Sequence, residues 1–356
     1  MIPLPAIATR IVAAPMAGGP STPGLVAAVG DAGGFGFLPA GYRRVEQVAD
    51  DVADLLGRSA APFGVNVFAP LPERPEEAAR VPEYAERVAR RAALVDAPLG
   101  VPEHTDDDFA AKVQLLSRLR PAVVSFTFGI PHTEAMDRLH AAGIGIWLTV
   151  TSPEDALAAT GAGADALVVQ GWEAGAHRGG LSDEEPAQLG LLPLLALVRR
   201  VTPLPLVAAG GIADGAGVAA VLAAGASLAS LGTAFLRTPE AGTAPVHAAA
   251  LTEPRPTTVT RAFTGRRARA LVNAATVALG EDAPAAYPEV HLLTAPLRAA
   301  ARAAGDAENL HLWAGQAHTL AETVPAGELV RRLAADARTA LAAATAALGG
   351  RPGGAG

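Results

Sequence analysis

The chain has 356 residues, half of them hydrophobic, and a formal net charge of −7. Its length is enough for one large domain or for a barrel with a smaller appendage. An acidic balance without a basic stripe argues against a nucleic-acid partner. The absence of cysteine excludes disulfides, thiolate metal sites and cysteine nucleophiles.

Two further classes of protein are disfavoured by what the chain lacks. Lys112 is the only lysine, and it lies in a segment with helical periodicity rather than at a strand end. Schiff-base aldolases and pyridoxal-phosphate enzymes need a lysine that projects into the site. No apolar run reaches the roughly 18 residues of a membrane span, and the first ten residues lack the basic start and apolar core of a signal peptide. We therefore expect a cytoplasmic protein without a membrane segment.

Eight short apolar runs are typical of parallel strands that are buried on both faces. They alternate with Ala/Leu/Val-rich helical segments, several of which are followed by glycine, as helices commonly are. This alternation over about 235 residues predicts a (β/α)8 TIM barrel, with a doubly wound open sheet as the alternative. The predicted strands are 11–14, 34–38, 63–67, 122–126, 145–149, 166–169, 206–209 and 228–231. Predicted helices include 23–32, 45–56, 133–142, 153–160, 193–201 and 215–224.

Two regions interrupt the alternation and set the expected domain organisation. Residues 69–120 are long, charged and initially proline-rich, which favours an elaborated excursion with one or two helices. After about residue 239 the pattern stops, and residues 245–256 are interpreted as a linker. We expect a barrel over residues 1–240, a smaller and mostly helical cap or substrate subdomain over 241–322, a C-terminal helix over 323–350 that packs back on the barrel, and a disordered tail over 351–356.

Polar side chains at the ends of apolar strands predict where a ligand binds, because TIM-barrel active sites lie at the carboxyl ends of the strands. Asn66 lies in the third predicted strand and Gln170 directly follows the sixth. Buried amides are costly unless they are hydrogen-bonded, and they offer both donors and acceptors. This pair suits a flat heterocycle that carries alternating N–H and C=O groups.

Glycine turns follow the last two predicted strands. Gly210 and Gly211 precede a helix, and Gly232 and Thr233 precede another turn. Backbone N–H groups at such positions, unobstructed by a Cβ atom, bind phosphate, and phosphate sites after these strands recur in barrels. The alternative is that the glycines only make tight turns.

The loop after the sixth strand carries His177, whose side chain has an unperturbed pKa nearest neutrality. It is the best candidate for a catalytic group.

His132 and His140 lack a carboxylate at ligand spacing, so no metal site is predicted. Two acidic runs are interpreted as helix N-termini or solvated turns, and a basic cluster either caps an anion or lies on the surface. These are 106–108 and 183–185 for the acidic runs, and 263–269 for the basic cluster.

Six segments, in this order and spacing, together resemble the nitronate monooxygenase family, formerly called 2-nitropropane dioxygenases. A seventh segment, LWAGQ at 312–316, resembles the bacterial class I members. The resemblance covers most of the chain. The six segments are APMAGG at 14–19, FGVN at 63–66, VSF at 124–126, QGWEAGAHRG at 170–179, AGGI at 209–212 and LGTAFL at 231–236.

The resemblance implies FMN as cofactor and oxidative denitrification as the reaction. A nitronate gives an electron to FMN, and O2 then yields a carbonyl compound and nitrite. His177 matches the family's catalytic histidine, which acts as a base toward neutral nitroalkanes or as an anion-binding group toward nitronates such as propionate 3-nitronate. The residues implied to contact FMN are Met16 and Ala17 at the isoalloxazine, Asn66, Gln170 and Gly175 at the flavin or ribityl chain, and Gly210, Gly211, Ser230, Leu231, Gly232 and Thr233 at the phosphate end.

Three positions depart from the family pattern. Thr127 stands where a second histidine is frequent, Ser230 where a glutamine often begins the phosphate segment, and Ala176 where the family has glycine. Thr127 cannot act as a base near neutral pH, so this change bears most on the choice of substrate.

Other functions remain open at this point. On the same barrel, the chain could be an NAD(P)H-dependent FMN enoyl-thioester reductase or a biosynthetic flavin oxidase. A different class is a flavin-free phosphate-binding isomerase or lyase. The expected partners are a small nitronate or nitroalkane and O2, and a homodimer is possible.

Overall fold

A computed structural model describes residues 2–183 and 188–349 of the chain. Eight parallel strands close into a barrel in the order β1-β2-β3-β4-β5-β6-β8-β9, so the predicted TIM barrel is confirmed. The barrel strands are β1 (Ile11–Ala13), β2 (Phe35–Pro39), β3 (Phe63–Phe68), β4 (Val123–Thr127), β5 (Gly145–Val150), β6 (Ala166–Gln170), β8 (Leu206–Ala209) and β9 (Leu228–Leu231). A second, antiparallel sheet has the order β10-β11-β7 and consists of β7 (Ala176–His177), β10 (Thr257–Thr260) and β11 (Ala268–Leu271).

The helices pack around the barrel and build the cap above it. Those between barrel strands are α1 (Pro23–Asp31), α2 (Val45–Arg58), α3 (Pro75–Ala78), α4 (Val81–Ala92), α5 (Phe109–Leu119), α6 (Thr133–Ala141), α7 (Pro153–Gly161), α8 (Leu191–Val198) and α9 (Gly215–Ala223). The later helices are α10 (Pro245–Ala250), α11 (Ala274–Gly280), α12 (Glu289–Ala304) and α13 (Ala326–Ala347).

Every second side chain of a barrel strand points into the interior, and these side chains form an apolar floor below a polar mouth at the carboxyl ends of the strands. The floor is an aromatic plug in which the Phe35, Phe37 and Trp147 rings lie 5.2–5.7 Å apart. Gly64 leaves room for this plug, because a Cβ atom there would come within 2.3 Å of the Phe37 ring. Since the floor is filled, a ligand can enter only from the carboxyl end of the strands.

The region after β9 differs from the expected linker and mostly helical segment. Residues Pro245–Ala250 form a helix, so the linker prediction is wrong for that stretch. β10 and β11 form a hairpin that was not predicted, and β11 pairs with β7 in the loop after β6. The sequence Ala-Arg-Ala-Leu of β11 favours a helix by intrinsic propensity, and only the pairing with its neighbours makes it a strand.

The excursion after β3 contains more helices than expected. Residues 69–120 hold α3, α4 and α5 and a short 3-10 turn, where one or two helices were predicted. Tyr84 and Val88 of α4 pack with Phe263, Leu279 and Leu293 in one buried cluster. The excursion therefore packs against the cap and shares a buried apolar cluster with it.

The C-terminal helix α13 packs on α9 and α1 of the barrel. Within the described residues, no helix is long and apolar enough to cross a membrane. The predicted tail 351–356 and residues 184 and 185 of the second acidic run lie outside the described residues.

Candidate active site

A cavity at the carboxyl end of the barrel collects nearly every residue that the sequence singled out. Its floor is formed by strand ends, and its roof by the cap segments that contain Trp313 and Gly315. The predicted residues that line it are Met16, Ala17, Asn66, Gln170, Gly175, His177, Gly210, Gly211, Ser230, Gly232 and Thr233.

Leu231 is the exception. Its side chain is 1% exposed and belongs to the apolar cluster between the strands and the helices. The reason is strand alternation: Ser230 faces the barrel interior, so its neighbour faces outward. A contact of Leu231 with the FMN phosphate would therefore have to come from its backbone, and this implied contact stays a prediction.

Asn66 presents its carbonyl oxygen rather than its amino group to the cavity. Its Nδ2 atom donates toward the Ser125 carbonyl and hydroxyl at 3.2 and 2.9 Å and toward the Thr127 hydroxyl at 3.0 Å. Thr127, which stands at the family's second histidine position, thus helps to orient Asn66.

Gln170 ties the end of β6 to the loop that carries the histidine. Its Nε2 donates to the His177 carbonyl at 2.9 Å, and its Oε1 accepts from the Gly179 N–H at 2.9 Å. The Arg178 guanidinium donates to the Gly171 carbonyl at 2.6 Å and closes the same loop. One N–H and one lone pair of the Gln170 amide remain for a ligand.

The two glycine turns give the cavity a wall of backbone. Gly210 and Gly211 adopt φ values of +103° and +72°, which L side chains rarely adopt. A Cβ atom at Gly211 would lie 3.1 Å from the Glu173 Cβ. A Cβ atom at Gly232 would make ordinary van der Waals contact with Ala14 at 3.7 Å and Met16 at 3.8 Å. The wall therefore exposes peptide groups close to the amino end of α9.

His177 is half-buried and faces the cavity from β7. Its Nε2 lies 2.9 Å from the Thr264 hydroxyl. Its ring lies 5.3, 5.7 and 6.0 Å from the rings of Phe128, Trp313 and Tyr287. Burial, and then the positive charges of Arg266 and Arg298, lower the pKa of His177 to about 3. The imidazole is therefore neutral at physiological pH.

The surroundings of the cavity are electropositive. Arg266 lies 4.3 Å above the Phe128 ring and donates to the Gly180 carbonyl at 2.7 Å. Arg298 donates to the His291 carbonyl at 2.7 Å, and Arg302 lines the cavity itself. Among the described residues, no Asp or Glu side chain lines the cavity. This arrangement favours anionic ligands.

The remaining sequence candidates have structural roles. The basic cluster 263–269 is largely buried rather than on the surface. Asp183, expected in a solvated turn, is buried and accepts from Arg261 at 2.9 Å. Asp107 pairs with Lys112 at 2.8 Å beside α5, so this lysine does not reach the cavity. No group of three metal-ligating side chains occurs in residues 2–183 or 188–349.

The sequence did not point to the cap residues around His177. Thr264 appeared only as part of a basic cluster, and Tyr42, Tyr287 and His291 were not singled out. The Tyr42 ring stacks on His291 at 3.9 Å, and its hydroxyl lies 3.3 Å from that of Tyr287. Thr264, Tyr287 and His291 follow no strand end of the barrel, so the alternation of strands and helices carries no signal for them, whereas Tyr42 lies in the loop after β2 and could have been found at that strand end.

Comparisons with known proteins agree over nearly the whole chain. A family model described as nitronate monooxygenase matches residues 3–336. A nitronate monooxygenase of Paraburkholderia phytofirmans is 38% identical over 343 residues, which cover 94% of this chain and 93% of that protein. The solved structure of a nitroalkane oxidase from Streptomyces ansochromogenes has a TM-score of 0.91 at 48% identity and covers 95% of this chain and 98% of that chain. FabK from Thermotoga maritima, at 24% identity and a TM-score of 0.74, covers 96% of each chain and shows the fold alone.

Proposed function

The chain belongs to the nitronate monooxygenase family, and on that premise we propose that it is an FMN-dependent oxidoreductase of nitro compounds. It oxidises alkyl nitronates, such as propionate 3-nitronate, or nitroalkanes after deprotonation. O2 is the co-substrate, and a carbonyl compound and nitrite are the products. The observation that carries this proposal is His177, held neutral at the rim of an electropositive cavity without acidic lining.

The residues present fit FMN. The turns at Gly210, Gly211 and Gly232 line the cavity with backbone that carries no side chain, and such backbone suits a phosphate that needs N–H donors. The Asn66 carbonyl and the remaining capacity of the Gln170 amide suit the edge of a flavin ring. Met16 and Ala17 lie on the β1 side of the same cavity, and Met16 lies next to Gly232. When bound, FMN supplies electron transfer from the substrate and the reaction with O2.

His177 takes the α-proton of a neutral nitroalkane in this proposal. The C–H bond breaks, the proton passes to the imidazole, and the electron pair moves into the nitro group to give the nitronate. The lowered pKa leaves the imidazole unprotonated above about pH 3, so the form that can act as a base is the one present at physiological pH. A positioned base typically accelerates such a step by 10²–10⁴-fold. A nitronate taken from solution needs no base.

Arg266 and Arg298 act on the two charges that this proton transfer creates, the imidazolium of His177 and the nitronate anion. They disfavour an isolated imidazolium, but they favour the nitronate anion beside it. Phe128, Tyr287 and Trp313 surround the imidazole and keep water from the acidic carbon. The chain's own residues thus bind an anion, hold the proton and exclude solvent.

The absorbance spectrum of the purified protein tests the cofactor, and mass spectrometry of the released chromophore identifies it. We expect a flavin spectrum and the mass of FMN. Absence of flavin after purification and after reconstitution with FMN would leave the flavin-free isomerase or lyase alternative. Anaerobic bleaching by NADH but not by ethyl nitronate would favour the enoyl-thioester reductase.

A further inference from the structure

We propose that Thr264 is a positioning residue that fixes the tautomer of His177, so that Nδ1 is the atom that accepts the substrate proton. Thr264 lies in the cap turn between β10 and β11, far along the chain from the loop that carries the histidine. The inference rests on the proposed function, because it concerns deprotonation of a neutral nitroalkane.

The Thr264 hydroxyl has three neighbours that fill its hydrogen-bonding capacity. Its Oγ1 lies 2.9 Å from His177 Nε2, donates to the Arg266 carbonyl at 3.1 Å, and accepts from the Arg266 N–H at 3.3 Å. Thr264 and Arg266 are only 2% and 3% exposed, so water does not replace these partners.

Counting donors and acceptors selects one tautomer. A hydroxyl has one hydrogen and two lone pairs. The hydrogen goes to the Arg266 carbonyl and one lone pair to the Arg266 N–H, so the remaining lone pair faces His177 Nε2. That nitrogen must then carry the hydrogen. The opposite assignment removes the donor from the buried Arg266 carbonyl, which is costly.

The other ring nitrogen is left as the base. Among the described residues, His177 Nδ1 has no hydrogen-bond partner, and the side chain opens onto the cavity. A proton from the substrate therefore forms a new N–H bond at Nδ1, while the bond from Nε2 to Thr264 persists in the imidazolium. A base that is oriented in this way by a third group is a recurring arrangement in catalysis.

The backbone makes this orientation rigid. Ala268 of β11 pairs with His177 of β7, and the Arg178 N–H donates to the Arg267 carbonyl at 2.8 Å. Gln170 holds the His177 carbonyl from the opposite side. The histidine and its partner hydroxyl are thus attached to the same small sheet.

Three variants separate positioning from simple structural support. Thr264→Val removes the hydroxyl at similar volume, and Thr264→Ser keeps it. Thr260→Val is the matched control, because the Thr260 hydroxyl lies on the same hairpin and accepts from the Ala262 N–H without touching His177. For nitroethane we expect Thr264→Val to lower kcat by about 10- to 100-fold with little change in KM, since a hydrogen bond to a charged group is lost.

Ethyl nitronate needs no base, so its kcat/KM should stay within about twofold in Thr264→Val. Thr264→Ser should restore most of the rate with nitroethane, and Thr260→Val should not change the ratio between the two substrates. An equal loss on both substrates in Thr264→Val, or no loss on either, would overturn the proposal.

A readout without turnover uses ¹⁵N-histidine NMR of the intact protein, with the His177 signals identified by their absence in His177→Asn. We expect a protonated Nε2 and an unprotonated Nδ1 in the wild type at pH 7. Protonation at Nδ1 instead would refute the inference, even if no Thr264 variant folds. A wild-type protein inactive on nitroethane and on ethyl nitronate would refute the proposed function alone, because the tautomer is measured independently.

Discussion

His177 combines a low proton affinity with the task of accepting a proton. Burial and two arginines keep it neutral, which makes it available but also makes the imidazolium costly. In the proposed reaction, the nitronate that forms beside it carries the compensating negative charge. The proposal thus couples deprotonation and anion binding in one cavity, and neither Arg266 nor Arg298 needs to touch the substrate to contribute.

A substitution at Gly211 is the most direct residue-scale test of the proposal that the backbone at the two glycine turns binds the FMN phosphate. Gly211→Ala adds a methyl group at a φ of +72°, 3.1 Å from the Glu173 Cβ, at the surface where we place the FMN phosphate. We expect a loss of about 1–2 kcal/mol in stability from backbone strain and at least tenfold weaker FMN binding, measured by fluorescence titration of the flavin-free protein.

Gly143→Ala is the matched control. Gly143 has a φ of +78°, and its Cβ would meet no atom within 4 Å. It lies outside the cavity, so the same strain should leave FMN affinity unchanged. Equal FMN affinity in both variants would show that the FMN phosphate does not bind at Gly211.

At the scale of elements, the barrel strands were predictable and the second sheet was not. The run Leu206–Ala209 is apolar throughout and Leu228–Leu231 is apolar except for Ser230, because parallel strands are buried on both faces, and the predicted bounds of both match the structure. β7 has two residues, and β11 contains helix-forming residues. β7 is a strand because it pairs with β11, and β11 because it pairs with both β7 and β10, which is information that no local pattern contains.

The residues of the candidate site likewise fall into those that the sequence could predict and those that it could not. Asn66, Gln170 and His177 could be found because they interrupt or follow apolar strands. Their partners could not, since Thr264 and Arg266 reach His177 only through the fold of the cap. The sequence also gave no sign that the Gln170 amide would bond to the His177 loop.

The contact between α9 and α13 supplies an element-scale prediction about stability. A Cβ atom at Gly215 of α9 would lie 2.3 Å from the Asp336 Cβ and 2.7 Å from the Ala337 N. We expect Gly215→Ala to lower the free energy of unfolding by about 1–3 kcal/mol through overpacking, measured by urea denaturation. Gly161→Ala in α7, where nothing lies within 4 Å, should be neutral or stabilise by about 0.5–1 kcal/mol. Similar effects in the two variants would mean that α13 does not pack closely here.

At the scale of the whole molecule, the cap and the small sheet hold four histidines, His177, His247, His291 and His311, whose pKa values are all lowered. Burial is the main cause that lowers the pKa of His177 to about 3 and of His247 to about 4, and it places those of His291 and His311 well below 6.5. In the unfolded chain these side chains titrate near 6.5. Between pH 6.5 and 4 the unfolded state therefore binds more protons than the fold.

Stability should consequently fall as the pH drops below 6.5, by up to about 1.4 kcal/mol per pH unit for each such histidine. Urea denaturation at pH 7.5, 6.5, 5.5 and 5.0 measures this slope. His247→Gln should remove the contribution of one histidine, so the slope should fall by about 1.4 kcal/mol per pH unit. A free energy of unfolding that is constant from pH 7.5 to 5.0 would show that these histidines are not held neutral.

The central claim is that His177 deprotonates a nitroalkane in an FMN-containing cavity. The most direct test compares nitrite release from nitroethane and from ethyl nitronate, with O2 present, in the wild type and in His177→Asn. The account predicts a wild type active on both, and a variant that loses about 10²–10⁴-fold on nitroethane but far less on ethyl nitronate. A variant that retains equal activity on both substrates, or loses both equally, would contradict it.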